Sequence, residues 1–155
     1  MYEKFGQFID GKWCQSSDKS TYEVINPANE ETLGHASKAT SKDVDRALKS
    51  AEKGLQVWKK TPPWQRSYII RRIADKIREN QDVLAKWMTL EVGKPFLEAK
   101  GEVNGAADIF EWNAEETKRI YGQTVESRFE DTRVHVYYQP VGVVAALSPW
   151  NFPAV

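Results

Sequence analysis

Between Pro140 and Pro149 the chain reads Val141-Gly142-Val143-Val144-Ala145-Ala146-Leu147-Ser148, with no charge and no polar side chain before Ser148. A run of small and β-branched apolar residues without the polar alternation of a half-wet strand reads as a strand buried on both faces. Such strands belong to sheets covered by helices on either side, which places the chain in the α/β class. Ligands in these folds gather beyond the carboxyl ends of the strands. Directly beyond this one stand Pro149-Trp150-Asn151-Phe152-Pro153, and Val155 is the last residue. Asn151 is the first candidate for chemistry, because a side-chain amide fixed at a strand exit between water-excluding aromatics can donate a hydrogen bond to an oxyanion. Core aromatics and turn asparagines without a ligand are commoner uses of the same residues, so the local pattern leaves both roles open.

Upstream, the periodicities alternate between extended and helical. Gln7-Phe8-Ile9-Asp10-Gly11-Lys12-Trp13 carries Asp-Gly between β-formers, a hairpin signal. Tyr22 to Ile25 predicts another strand, Asn26-Pro27-Ala28-Asn29 a turn, and Glu31 to Ala36 an extended return. Thr40 with Asp43 forms a capping box opening a helix to about Trp58, its apolar face being Val44, Ala47, Leu48, Ala51, Leu55 and Trp58. Pro63 suits the first turn of a second helix with Ile69, Ile70, Ile73, Ala74 and Ile77 on one face. Asp82 is placed to cap a third, with Val83, Leu84, Trp87, Met88 and Leu90 inward and Gly93-Lys94-Pro95 as its stop. A long fourth run, Phe96 to Tyr121, buries Val103, Ala106, Ala107, Phe110, Ala114 and Ile120. Gly101 and Gly105 weaken a helix unless another backbone packs closely there, and close packing is the expectation. Gln123 to Glu126 and Arg133 to Gln139 read as a second ribbon.

Composition narrows the function. With 155 residues there is material for one domain with a core. The 22 basic and 22 acidic residues cancel, which removes any global field for nucleic acid or an anionic membrane. Arg66, Arg71, Arg72, Lys76 and Arg78 alternate with Asp75 and Glu79, the pattern of a solvated helix face. The amino terminus from Met1 to Gly6 lacks a basic, apolar leader, and no apolar run has membrane-span length. A soluble cytoplasmic protein with neither nucleic-acid nor membrane partners is the expectation.

Other candidates for chemistry are thin. Cys14, the single cysteine, has only Lys12 as a cation nearby in sequence and reads as a structural thiol. His35 and His135 stand apart without patterned acid partners and read as surface imidazoles on strands, so no metal site is expected. Glu91, Glu98 and Glu102 read as solvated helix surface.

Pro149 to Pro153, preceded by Pro140-Val141-Gly142-Val143-Val144, resembles the signature of the NAD(P)-dependent aldehyde dehydrogenase superfamily. Phe8-Ile9-Asp10-Gly11-Lys12-Trp13, Asn26-Pro27-Ala28-Asn29-Glu30, Asp43-Val44 with Ala47, Trp58, Arg66 and Leu90-Glu91-Val92-Gly93-Lys94-Pro95 resemble family landmarks in family order. Phe110-Glu111-Trp112, Ala114-Glu115-Glu116 and Lys118-Arg119-Ile120-Tyr121-Gly122 are similar to succinate-semialdehyde dehydrogenases, Asn113 departing from the aromatic often found there.

The resemblance implies an incomplete aldehyde dehydrogenase fold. Residues 1–39 would form an amino-terminal β-ribbon, 40–121 a helical layer, 122–139 an oligomerisation-type ribbon, and 140–155 the first strand of a Rossmann-like cofactor domain with its Pro-Trp-Asn-Phe-Pro motif. It implies oxidation of a small-molecule aldehyde, by the subfamily likeness succinate semialdehyde, to an acid with NAD or NADP, through a thiohemiacetal and a thioester. Asn151 would be the catalytic oxyanion donor. Leu147, Ser148, Pro149, Trp150 and Asn151 would line the cofactor side, and Phe152 the aldehyde passage. Glu91, with backbone near Val24 and Ile25, matches a region that binds a monovalent cation in some members.

The family's nucleophilic cysteine, general-base glutamate, ribose-gripping lysine and late oligomerisation segment match nothing in these residues, and Cys14 does not fit the nucleophile's motif. The expectation is an amino-terminal portion, inactive alone, whose partners are the remainder of the enzyme and further copies of it. The alternatives are a stand-alone binding or assembly module and a CoA-acylating relative.

Overall fold

The computed structural model describes residues 5–155, so the leader-free reading of residues 1–4 lies outside the described residues. The described residues form three separate antiparallel hairpins and four helices. Strands β1 (Gln7–Ile9) and β2 (Lys12–Cys14) form the first. Asp10 and Gly11 turn it with φ of 55° and 73°, the double left-handed geometry that an Asp-Gly pair accepts. Phe8 faces Trp13 across the ladder with ring centroids 5.0 Å apart, a cross-strand aromatic pair. Strands β3 (Thr21–Ile25) and β4 (Thr32–Ser37) form the second, close to the predicted bounds. Its turn is set by Asn26, whose Oδ1 accepts the Ala28 N–H at 3.0 Å.

Helix α1 (Ser41–Trp58) begins at the predicted capping box. Asp43 does more than cap: its carboxylate, almost wholly buried, accepts the Thr40 N–H at 3.0 Å, the Ser17 N–H at 3.1 Å and the Ser16 hydroxyl at 3.2 Å. The helix start is thereby clipped to the loop after β2. The Thr40 N–H and then the Ser17 N–H hold the Asp43 carboxyl well below the usual carboxylate range despite burial. Beside it the Ser20 and Ser16 hydroxyls bring Asp18 down to about 2. The apolar stripe of α1 exists but is largely uncovered, since Val44, Leu48 and Trp58 are exposed.

The core lies between α2 (Pro63–Glu79), α3 (Gln81–Val92) and α4 (Phe96–Glu116). It is built mainly of small residues: Ala74 from α2, Ala85 and Met88 from α3, and Ala99, Val103, Ala106, Ala107 and Ala114 from α4, with Ile77 and Val92 packed against it. Alanine at these positions lets α4 settle against both neighbours at close range. Ile69, Ile73, Val83, Leu84 and Phe110, expected inward, are exposed at the margins of that contact.

Several expectations need correction. The arginines of α2 are not merely solvated: Arg71 pairs with Glu111 at 2.6 Å and with Glu115, and Arg78 with Asp108 at 2.7 Å and Glu111 at 2.6 Å. Arg78 and then Arg71 hold Glu111 below its ordinary range. Asn80, not Asp82, stands at the start of α3; Asp82 sits inside the first turn and pairs with Lys100 of α4 at 2.7 Å. Gly101 and Gly105 meet no close neighbour, since a Cβ there would have open space, so close backbone packing does not explain them. The fourth helix stops at Glu116, followed by a 3-10 turn over Thr117–Arg119, and Ile120 is exposed.

Strands β5 (Gln123–Glu126) and β6 (Arg133–Val136) make the third hairpin, shorter than predicted and exposed along both strands. Val141 to Leu147, read as a doubly buried strand, pairs with no strand among the described residues, and Val141 and Leu147 are 92% and 94% exposed. A strand is an element only through its ladder, and no described edge lies alongside to receive these backbone groups. No helix among the described residues is long and apolar enough to cross a membrane.

The depressed folded-state values of Asp43 and Asp18 make their stabilisation complete above the unfolded value near pH 3.8 and progressively lost as the pH falls below it. Asp43→Asn is therefore expected to lower the urea midpoint at neutral pH, with the gap to the parent chain closing as both are acidified. A gap independent of pH measured by circular dichroism would contradict this.

Candidate functional site

The geometry around Asn151 starts at the end of α3. Gly93 takes up the left-handed conformation (φ 79°) as the helix C-cap, its N–H bonded to the Thr89 carbonyl at 3.0 Å. A Cβ at this position would lie 3.1 Å from Pro27 Cγ, so the corner also abuts the turn after β3. The sequence-expected stop is thus real, and it sets Gly93 against Pro27 in the turn that follows Val24 and Ile25. Pro95, unable to continue α3, opens α4, and between the two helices Lys94 turns inward.

Lys94 and Glu102 form an ion pair whose side chains are only 12% and 2% exposed. The carboxyl-terminal turn is fastened to both. Lys94 Nζ donates to the Asn151 carbonyl at 2.8 Å and lies 4.0 Å from the centroid of the Phe152 ring. Glu102 Oε1 accepts the Ala154 N–H at 2.9 Å. One ammonium and one carboxylate therefore hold three of the four residues from Asn151 to Ala154. Glu102, expected on a solvated surface, is buried. The signal was available: Ala99, Glu102 and Ala106 recur at three- and four-residue spacing, which puts the carboxylate on the packed face of α4.

A cavity of about 300 Å³ is lined by residues of α2, α3 and α4, among them Ile77, Met88 and Val103, and by Pro153 and Ala154 of the fastened turn. Asn151 itself is exposed. Its backbone is held, while its side-chain amide makes no hydrogen bond to any described residue. Leu147, Ser148, Pro149 and Trp150 continue the same open segment, with Trp150 81% exposed, so these residues alone do not shield the amide from water. Phe152 lies against Lys94. The sequence candidates are thus brought together on one ribbon of chain, and Lys94 and Glu102 join them.

Cys14 lies elsewhere, in β2, donating its thiol to the Gln7 carbonyl at 3.3 Å. Lys12 is not its only cation: Arg46 of α1 reaches Sγ at 3.2 Å. His35 and His135 are exposed on β4 and β6. Among the described residues no three His, Cys, Asp or Glu side chains are grouped to hold a metal ion.

Residues 13–155 match the model of the Aldehyde dehydrogenase family. The chain belongs to that family. It is 45% identical over 147 residues to the glutarate-semialdehyde dehydrogenase of Pseudomonas putida KT2440, covering 95% of this chain and 31% of the relative. It is 43% identical over 146 residues to the succinate-semialdehyde dehydrogenase [NADP(+)] of Escherichia coli K12, covering 94% and 30%. The crystal structure of succinate-semialdehyde dehydrogenase from Burkholderia pseudomallei superposes with a TM-score of 0.93 at 39% identity, over 97% of this chain and 31% of that one. The chain spans about three tenths of the length of these aldehyde dehydrogenases, and its mixed helices and hairpins are the corresponding part of their α/β fold.

Glu102→Ala strands the nearly buried Lys94 ammonium and is expected to cost about 3 kcal/mol in urea denaturation. The double replacement Lys94→Met with Glu102→Leu removes both charges and is expected to recover most of that loss. A single variant as stable as the parent would contradict the pairing.

Proposed function

We propose that these residues form the oxyanion-donor side of an NAD(P)-dependent dehydrogenase that oxidises a semialdehyde, of the succinate or glutarate type, to the carboxylic acid. The observation that carries the reading is the state of Asn151: its carbonyl is fixed by Lys94, and its exposed side-chain amide makes no hydrogen bond to a described residue. A preorganised N–H aimed at an aldehyde oxygen stabilises the negative charge that develops there when a nucleophile adds to the carbonyl carbon. The names of the P. putida and E. coli relatives support the semialdehyde class.

The nucleophile and the base that activates water are proposed to come from residues other than these, since Cys14 sits in the first hairpin, bonded to Gln7 and Arg46. Leu147, Ser148, Pro149 and Trp150 fit the cofactor side. Apart from the Pro149 carbonyl, which accepts the Phe152 N–H at 3.3 Å, their backbone groups make no hydrogen bond to a described residue and remain available to a polar ligand. A nicotinamide held along Leu147 to Trp150 would supply the acceptor for the hydride lost as the aldehyde carbon is oxidised. The chain's own contribution is to hold Asn151, to present an open backbone beside it, and to place the Phe152 ring on the aldehyde's path. The β5–β6 hairpin, with Val125 and Val134 exposed on it and Tyr137 exposed directly after it, suits pairing with another copy in an oligomer.

The test joins the chain in frame at Val155 to the part of the E. coli relative that it does not span. The chimera is expected to oxidise succinate semialdehyde with a dinucleotide, and Asn151→Ala to lower kcat by about 10²–10³-fold. An inactive chimera, or an Asn151→Ala variant with undiminished kcat, would contradict the proposal.

A further inference from the structure

We infer that Lys94 and Glu102 are positioning residues that set where the Asn151 side chain points. The inference rests on the reading of Asn151 as oxyanion donor and adds to it the device that aims the donor.

The segment has little else to fix it. Among the described residues, the turn from Pro149 to Val155 is closed by two backbone hydrogen bonds, Phe152 N–H to Pro149 at 3.3 Å and Val155 N–H to Phe152 at 3.4 Å. Both lie at the long, weak end for N–H···O bonds. The preceding run from Val141 has no ladder, and Trp150 is exposed. Against this stand the contacts of the ion pair. The ammonium takes the Asn151 carbonyl and the Phe152 ring; the carboxylate takes the Ala154 N–H. Pinning the carbonyl of residue 151 and the amide of residue 154 fixes the Phe152-Pro153 stretch and, through the Asn151 carbonyl, anchors the Cα that carries the Asn151 side chain from its carboxyl side.

A nearly buried ion pair contributes little net stability compared with apolar residues of the same volume, because desolvation offsets the attraction. Its value in this place is directional. Hydrogen bonds to charged groups are shorter and stronger than neutral ones, and these run from the corner between α3 and α4 and from α4 itself to the Asn151 carbonyl and the Ala154 N–H. The anchors are rigid: Glu102 sits on the packed face of α4, and Lys94 is confined between the Gly93 C-cap and Pro95. An error of about 1 Å in a catalytic group can cost on the order of 10²-fold in rate, so aim matters where net stability does not.

The decisive variant is the charge-free pair Lys94→Met with Glu102→Leu, which keeps the apolar contacts and is expected to fold. In the chimera, kcat should fall about tenfold or more while KM for the aldehyde stays close to that of the parent. In the 155-residue chain, hydrogen exchange at the Ala154 amide should accelerate and the amide nitrogen of Phe152 should shift, because the carbonyl before it has lost its donor. Glu102→Gln, which retains an acceptor for Ala154 but not the charge, should give an intermediate kcat. A folded double variant with parental kcat, or with unchanged Ala154 exchange, overturns the inference. If Asn151→Ala leaves kcat undiminished, the oxyanion reading itself falls; if Asn151→Ala is crippled while the double variant matches the parent, only the positioning role falls.

Discussion

A single ammonium and carboxylate, Lys94 and Glu102, connect the helical core of this chain to the turn that carries Asn151. Everything else can be ordered around that connection. The core exists to hold α4, and α4 carries Glu102 into the interface; the corner between α3 and α4 exists to turn Lys94 inward. The turn of Asn151 is then attached from below by charge rather than enclosed by its own aromatics.

The reason α4 can serve as a platform is its small-residue face. Ala99, Val103, Ala106, Ala107 and Ala114 are all buried against α2 and α3, and none is large enough to hold the helices apart. Outside this dry stripe, Arg71 and Arg78 brace the α2–α4 pair through Glu111, Glu115 and Asp108. Such partly exposed pairs fix register more than they add stability. At the opposite end of the chain Asp43 plays a comparable part, gathering backbone and hydroxyl donors from the loop after β2 onto the start of α1. In both places one buried carboxylate joins segments distant in sequence.

The sequence made local structure legible wherever local chemistry dictates it. The Asp10-Gly11 turn, the Thr40/Asp43 capping box, Pro63 at a helix start and the Gly93 stop all stand as expected, because each rests on a backbone preference of the residue itself. Burial was less legible. The apolar faces of α1 and α2 are genuine, yet Leu48, Ile69 and Ile73 are exposed, since periodicity says which side is apolar and not what covers it. The same limit applies to residues 141–147: composition predicts a doubly buried strand, yet no described strand pairs with the run and Val141 and Leu147 are exposed, because composition does not name the neighbours a ladder needs. Family membership was legible from landmarks in order. Glu102 was not, because charge was read as solvation; only its three- and four-residue spacing to Ala99 and Ala106 pointed inward.

The account stands or falls on Lys94 reaching the Asn151–Ala154 turn. Its ammonium lies 4.0 Å from the Phe152 ring centroid, which places the neighbouring ε-methylene in the shielding region of that aromatic. The most direct measurement is the proton chemical shift of the Lys94 ε-methylene in the folded chain, compared with a Phe152→Leu variant. The account predicts an upfield-shifted resonance that returns to the ordinary lysine position when the ring is removed. A Lys94 ε-methylene at the ordinary position in both proteins would show that the pair does not hold the turn.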